Sequence, residues 1–232
     1  FALRREREHF CREFRPNQRI AGAPCWASFC GPAWPPVAVC ETGIGQANVA
    51  RVLDWLLSKP LVERVPYEPS LVLFAGFAGS LDEDLHVGDV VLVTEVEDGN
   101  GHSWPTTWPG ELPGGTWTPP LHRDRLLTSD HLATTPEEKQ RLGERHHACA
   151  VDMESAIFAK RCARAEIPFG CVRVISDDIA TPLSPALASL LVGGTVSPWR
   201  VVRMLARHPG MLPELMRLGR DTKFAASQLG LA

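Results

Sequence analysis

Four apolar runs, each bounded by glycine, proline or acidic residues, constrain this chain more than any other feature. They are Val37–Cys40, Ser70–Leu81 (SLVLFAGFAGSL), Gly88–Asp98 (GDVVLVTEVED) and Ile167–Asp178 (IPFGCVRVISDD). Runs that are apolar at nearly every position read as strands buried on both faces. After the first run comes the glycine turn TGIG, and then Ala47, Ala50, Leu53 and Leu57 recur at helical spacing. A second helix is expected to start near Met153 and to lead into the fourth run. Strands separated by helices predict an α/β fold with a largely parallel sheet. Ligands in such sheets gather at the strand ends, so the residues closing each run are the first site candidates.

The 232 residues suit one globular domain with a small appendage. Residues 1–196 read as the domain and 197–232 as a basic helical extension packed on it, broken near His208–Gly210. Between the strands, His102–Pro120 (HSWPTTWPGELPGGTWTPP) reads as a long loop without regular structure. Its tryptophans Trp104, Trp108 and Trp117 suit a lid or a surface-packed loop. A net charge of −3 gives no field for nucleic acid. No apolar run approaches the roughly 20 residues of a membrane span. No secretory signal is legible, so a cytoplasmic location is expected. The chain opens on Phe1, which leaves room for residues upstream. Seven cysteines without a C-x-x-C pair argue against a zinc site or disulfide framework and for buried thiols; no metal is expected.

Several motifs are set aside. TGIGQAN lacks the third glycine of a dinucleotide fingerprint. No P-loop and no G-x-S-x-G elbow occurs. His146 and His147 are adjacent, not one helical turn apart, and read as surface residues rather than metal ligands.

Four segments, taken together, carry a resemblance. FALRRE (Phe1–Glu6), ETGIGQANVA (Glu41–Ala50), FAGFAGSL with VGDVVLV (within Phe74–Val93), and VDMESAIFA with IPFGCVRVISDD (within Val151–Asp178) are similar to the nucleoside phosphorylase and nucleosidase superfamily. The tail, from LSPALASLL to FAASQLG, resembles the hopanoid-associated branch. The resemblance implies a single-domain, three-layer α/β/α fold whose mixed central sheet is mostly parallel and partly barrel-like. It also implies cleavage of the N-glycosidic bond of a 5′-substituted purine nucleoside, adenosyl-hopane-like and releasing adenine.

Roles follow by position. Asp177 matches the acid that protonates purine N7, oriented by Ser176; a lone Ser-Asp pair is otherwise a helix N-cap. Glu154 matches the carboxylate that grips the ribose 2′- and 3′-hydroxyls, with Met153 as an apolar floor under the sugar. Asp152 reads instead as an electrostatic complement to a helix N-terminus. Leu132 and Ala133 match the segment whose backbone reads the purine edge, with Phe77 or a lid tryptophan left to stack on the base.

The nucleophile stays open. Glu6 matches the glutamate that activates water in nucleosidases; an ordinary surface helix acid is the bland alternative. Arg4 and Arg5 stand close to Glu6 as candidate holders of an anion, and Gly43, Gly45, Gly76 and Gly79 offer backbone amides to either nucleophile. The balance favours water; phosphate is the only co-substrate considered, and no cofactor is implied. The expected partners are a small nucleoside, a second copy of the chain as a homodimer, and a peripheral membrane contact through the tail helices. The rival from another class is a non-catalytic nucleoside-binding module on the same fold.

Overall fold

The computed structural model describes residues 1–14, 18–20, 22–29, 37–58, 61–62, 65–66, 68–108, 119–184 and 212–229. In chain order these form α1 (Arg4–Phe14), β1 (Gln18–Arg19), β2 (Trp26–Phe29), β3 (Ala38–Glu41), α2 (Gln46–Leu57), β4 (Leu61–Val62), β5 (Val65–Pro66) and β6 (Val72–Ser80). They continue as β7 (Val90–Glu97), β8 (Ser103–Pro105), β9 (Leu121–Thr128), α3 (Pro136–His146), β10 (Ala150–Asp152), α4 (Ser155–Arg164), β11 (Phe169–Asp177) and α5 (Leu212–Leu229). The four expected strands fall on β3, β6, β7 and β11.

Five strands close into a ring. β11 runs parallel to β6 and antiparallel to β7; β7 runs parallel to β9, β9 parallel to β10, and β10 antiparallel to β6. Three parallel seams and two antiparallel ones make the sheet mixed and barrel-like, as the resemblance implies. Register shifts on β7 between Val93 and Glu95, and on β11 between Ile175 and Asp177, supply local bends. Irregularities of this kind bend a strand and re-aim the side chains beside them; the second sits next to Asp177.

Helices cover the ring on two sides. α4 presents Ala156, Phe158, Ala159 and Cys162 to the core, and α2 packs against it. Phe158 stacks on Phe74 at 4.8 Å and meets Phe169 edge-on at 5.8 Å. Such aromatic pairs contribute about 0.5–1.5 kcal/mol each beyond area burial. On the other side α1 packs against α5. Ala225 and Leu229 of α5 cluster there with Val90 and Val174. The expected break at His208–Gly210 and the segment before it lie outside the described residues. Among the described residues, no helix is long and apolar enough to cross a membrane.

Three expectations change. The tryptophan-rich segment is not wholly irregular, since Ser103–Pro105 pairs with β7. The Trp108 indole donates to Val93 O at 3.0 Å and the Thr107 amide to Phe169 O at 2.7 Å. That places Trp108 at the start of β11, about 26 Å of strand from Asp177 at its end. Trp104 likewise packs against the main core. Neither tryptophan covers the strand end that carries Asp177; Trp117 lies outside the described residues. His146, expected on the surface, is half-buried with its Nδ1 2.7 Å from Glu97 Oε1. His147, in the left-handed region at φ 49°, stays exposed.

Candidate active site

The site is built along one stretch of β6, Gly76–Gly79. Glu6 comes to it from the first turn of α1. Its Oε2 accepts the amide of Leu3 at 2.7 Å, the reach-back of an N3 glutamate to the residue before its helix. Its Oε1 accepts the amide of Phe77 at 3.2 Å. Gly76 makes room: a Cβ there would lie 3.2 Å from Glu6 Oε1 and 3.3 Å from Arg173 Nη1. The side chain is 2% exposed, so Glu6 is no surface acid. Burial pushes its carboxyl above the usual range.

Glu154 enters where β10 ends and α4 begins. β10 runs against β6 with Val151 opposite Gly79. Continuing that register carries the chain toward Phe77 and Gly76, and so toward Glu6. Glu154 Oε1 accepts the amide of Gly45 at 2.9 Å. Gly45 caps the start of α2 at φ 98°, a conformation open to glycine. The carboxylate therefore sits between the N-termini of two helices, which favours negative charge. Desolvation, followed by the neighbouring Asp152, outweighs this and raises its pKa to about 7.

Behind Glu154 lies a buried polar network that the sequence reading largely missed. Asp152 does meet the start of α4, accepting the Ser155 amide at 3.1 Å, as expected. It also accepts Thr128 Oγ1 at 2.8 Å, Ser155 Oγ at 2.7 Å, and Arg173 Nε and Nη2 at 3.2 and 2.9 Å. Arg173 Nη2 reaches Ser155 Oγ at 2.6 Å, and Nη1 reaches the carbonyls of Phe74 and Val172 at 3.1 and 3.0 Å. All five guanidinium protons are thus engaged within the protein. The available signal was an arginine inside an apolar strand, which must find a buried partner.

Asp177 closes β11 opposite Gly79, where a Cβ would lie 2.9 Å from its Oδ2. Ser176 Oγ donates to Asp177 Oδ1 at 2.8 Å, which fits the orienting part expected of it. Asp177 also has a partner that the sequence reading did not foresee, Lys139 Nζ at 2.5 Å from Oδ2. From Gly76 to Gly79 is about 10 Å of strand. Glu6 at one end and Asp177 at the other bracket a length suited to a sugar–base linkage, with Glu154 approaching from β10.

The remaining expected residues divide. Met153 is half-buried beside Glu154, while Leu132 is half-buried and Ala133 buried in the loop after β9. Phe77 packs, partly buried, against the cluster under α5, and its amide donates to Glu6. The Gly45 amide is not open, since Glu154 holds it, and the Gly76 and Gly79 positions matter here for lacking a side chain. Gly43 adopts φ 82° in the turn before α2. Arg4 is corrected outright: its side chain is 76% exposed and pairs with Glu8 at 2.7 Å, so it holds no anion in the site. The side chain of Arg5 lies outside the described residues.

The chain is similar to known proteins in sequence and fold. The family model described as the phosphorylase superfamily matches residues 29–114 and 111–188. A 5′-methylthioadenosine/S-adenosylhomocysteine nucleosidase of Staphylococcus aureus is 26% identical over 162 residues, 61% of this chain and 68% of that protein. Among solved structures, futalosine hydrolase of Helicobacter pylori superposes with a TM-score of 0.68 at 17% identity, covering 99% of this chain and 91% of that one. The 5′-methylthioadenosine/S-adenosylhomocysteine nucleosidase of the same organism gives 0.63 at 20% identity, covering 89% and 95%. At these identities the superpositions show a shared fold.

Proposed function

The chain belongs to the phosphorylase superfamily and is an enzyme that cleaves nucleosides at the N-glycosidic bond; from that premise we propose that its nucleophile is water and its leaving group adenine. The observation that carries this reading is the buried carboxylate of Glu6 against Gly76, beside an arginine with no proton to spare. A carboxylate there repels a phosphate dianion, and Arg173 has no free donor to offset the repulsion. For water the same carboxylate is a base, and the upward push that burial gives its pKa makes it a stronger one.

In the proposed step, water oxygen bonds to C1′ while the C1′–N9 bond breaks and its electron pair goes to the purine. Glu6 takes a proton from the water. Asp177 gives a proton to N7, so the base leaves neutral. Glu154, ionised, accepts from the 2′- and 3′-hydroxyls, and its charge favours the cationic sugar of the transition state. Likeness of the tail to the hopanoid-associated branch supports a bulky apolar 5′ substituent.

The test is base release from 5′-methylthioadenosine and 5′-deoxyadenosine, with and without phosphate, followed by chromatography. Adenine with free sugar, independent of phosphate, supports the proposal. Sugar 1-phosphate, formed only with phosphate, would replace water by phosphate. No base released from any nucleoside would favour the binding module instead.

A further inference from the structure

One buried cation has no part in the step above. Lys139 is 1% exposed. It lies on the inward face of α3, where Lys139, Leu142, Gly143 and His146 recur at helical spacing. The helix approaches closely because Gly143 lacks a side chain: a Cβ there would lie 2.7 Å from Leu81 O. The ammonium reaches Asp177 Oδ2 at 2.5 Å, Asp178 O at 2.8 Å and Thr181 O at 3.4 Å. Neighbouring acids are committed elsewhere. The Asp178 carboxylate accepts the Val87 amide at 2.7 Å; Glu138 accepts the Thr134 amide at 2.9 Å and faces His131 at 3.1 Å.

A buried ammonium is costly unless it is paired and hydrogen-bonded. Tying down the turn after β11 would need only the two carbonyls. The third contact goes to the carboxyl group that, on the reading above, meets the purine.

We propose that Lys139 is a positioning residue for the acid step, pinning Asp177 Oδ2 while Ser176 pins Oδ1. Held at both oxygens, the carboxyl group cannot turn about its terminal torsion, and it meets N7 in one orientation. As the C1′–N9 bond breaks, the proton passes from Asp177 to N7. The carboxylate left behind is matched by the ammonium, which keeps its three protons throughout. The inference rests on the proposed hydrolysis and goes beyond it in giving the acid a dedicated holder.

The experiment compares Lys139→Met, Lys139→Gln, Lys139→Arg, Asp177→Asn and the double variant Lys139→Met/Asp177→Asn, with 5′-methylthioadenosine as substrate. Lys139→Met is expected to lower kcat by about 10²-fold, within the range for loss of acid assistance, while KM stays within about threefold. Lys139→Arg should recover most of the loss. The double variant should be no slower than Asp177→Asn alone, since both changes remove the same function. If Lys139→Met does not fold, Lys139→Gln, which keeps donors for the two carbonyls, is read in its place. Unchanged kcat, or losses that multiply in the double variant, would show that Lys139 only holds the fold together. A wild-type chain that releases no base overturns the proposed function first, and this inference with it.

Discussion

Three carboxylates line the proposed site, and the proposed hydrolysis gives each a different task. Asp177 has hydrogen-bond partners on both oxygens. Its change to Asn removes the proton and leaves the shape. Turnover should fall about 10²–10⁴-fold, while calorimetry still detects nucleoside binding; wild-type turnover would remove Asp177 from the acid role. Glu154 carries a pH signature. Its pKa rises from 4.5 to about 7, chiefly by desolvation. Between those values the folded protein keeps a proton that the unfolded chain has released. The stability from this group is therefore fullest below pH 4.5, falls as pH rises to about 7, and is level above it. Glu154→Gln should exceed wild type by on the order of 1–3 kcal/mol at pH 8 and converge with it near pH 4.5. Urea denaturation at both values checks this; a gap that does not grow with pH would contradict it. On the proposed role the diol needs the ionised form, so wild-type kcat/KM should climb with pH to a limb near 7.

At the scale of elements, the docking of α3 decides how near Lys139 comes to Asp177. Gly143→Ala would ordinarily favour a helix by about 1 kcal/mol. Here the added methyl meets a backbone carbonyl at 2.7 Å, and overpacking of this kind costs about 1–3 kcal/mol. The sign should therefore reverse: thermal melting is expected to show a lower Tm, and a raised Tm would mean that α3 sits farther out. The same helix shows where sequence reading stops. β6, β7 and β11 are apolar on both faces, so composition alone exposes them. The inward face of α3 is Lys, Leu, Gly, His, which carries almost no apolar signal. β9 (LHRDRLLT) is charged in its first half and buried only in its second. Glu6, Glu154 and Asp177 became candidates through the family resemblance of the motifs that hold them. Lys139 was not legible, because its meaning depends on a carboxylate 38 positions away in the chain.

Across the whole molecule, closure of the barrel joins parts that look separable in the chain. In the C-terminal extension, Ala225 and Leu229 of α5 pack on Val90 and Val174 of the ring, and Phe77 lies in the same cluster. The Phe77 amide holds Glu6, and α1, which carries Glu6, packs against α5. Phe224 also presses on Gly88, where φ is +100° and a Cβ would meet the ring at 2.3 Å. Displacing α5 should therefore disturb the proposed base together with the fold. Ala225 is fully buried, and Ala225→Glu places an unpaired carboxyl there, at a cost of at least about 3 kcal/mol. Met216, 67% exposed on the same helix, is the control, and Met216→Glu should stay within about 0.5 kcal/mol of wild type. Melting curves and adenine release measured on both variants separate the cases. Stability and activity falling together in Ala225→Glu alone would make the tail part of the catalytic body. Full activity in a variant whose α5 has been released would mean that the barrel holds Glu6 without it.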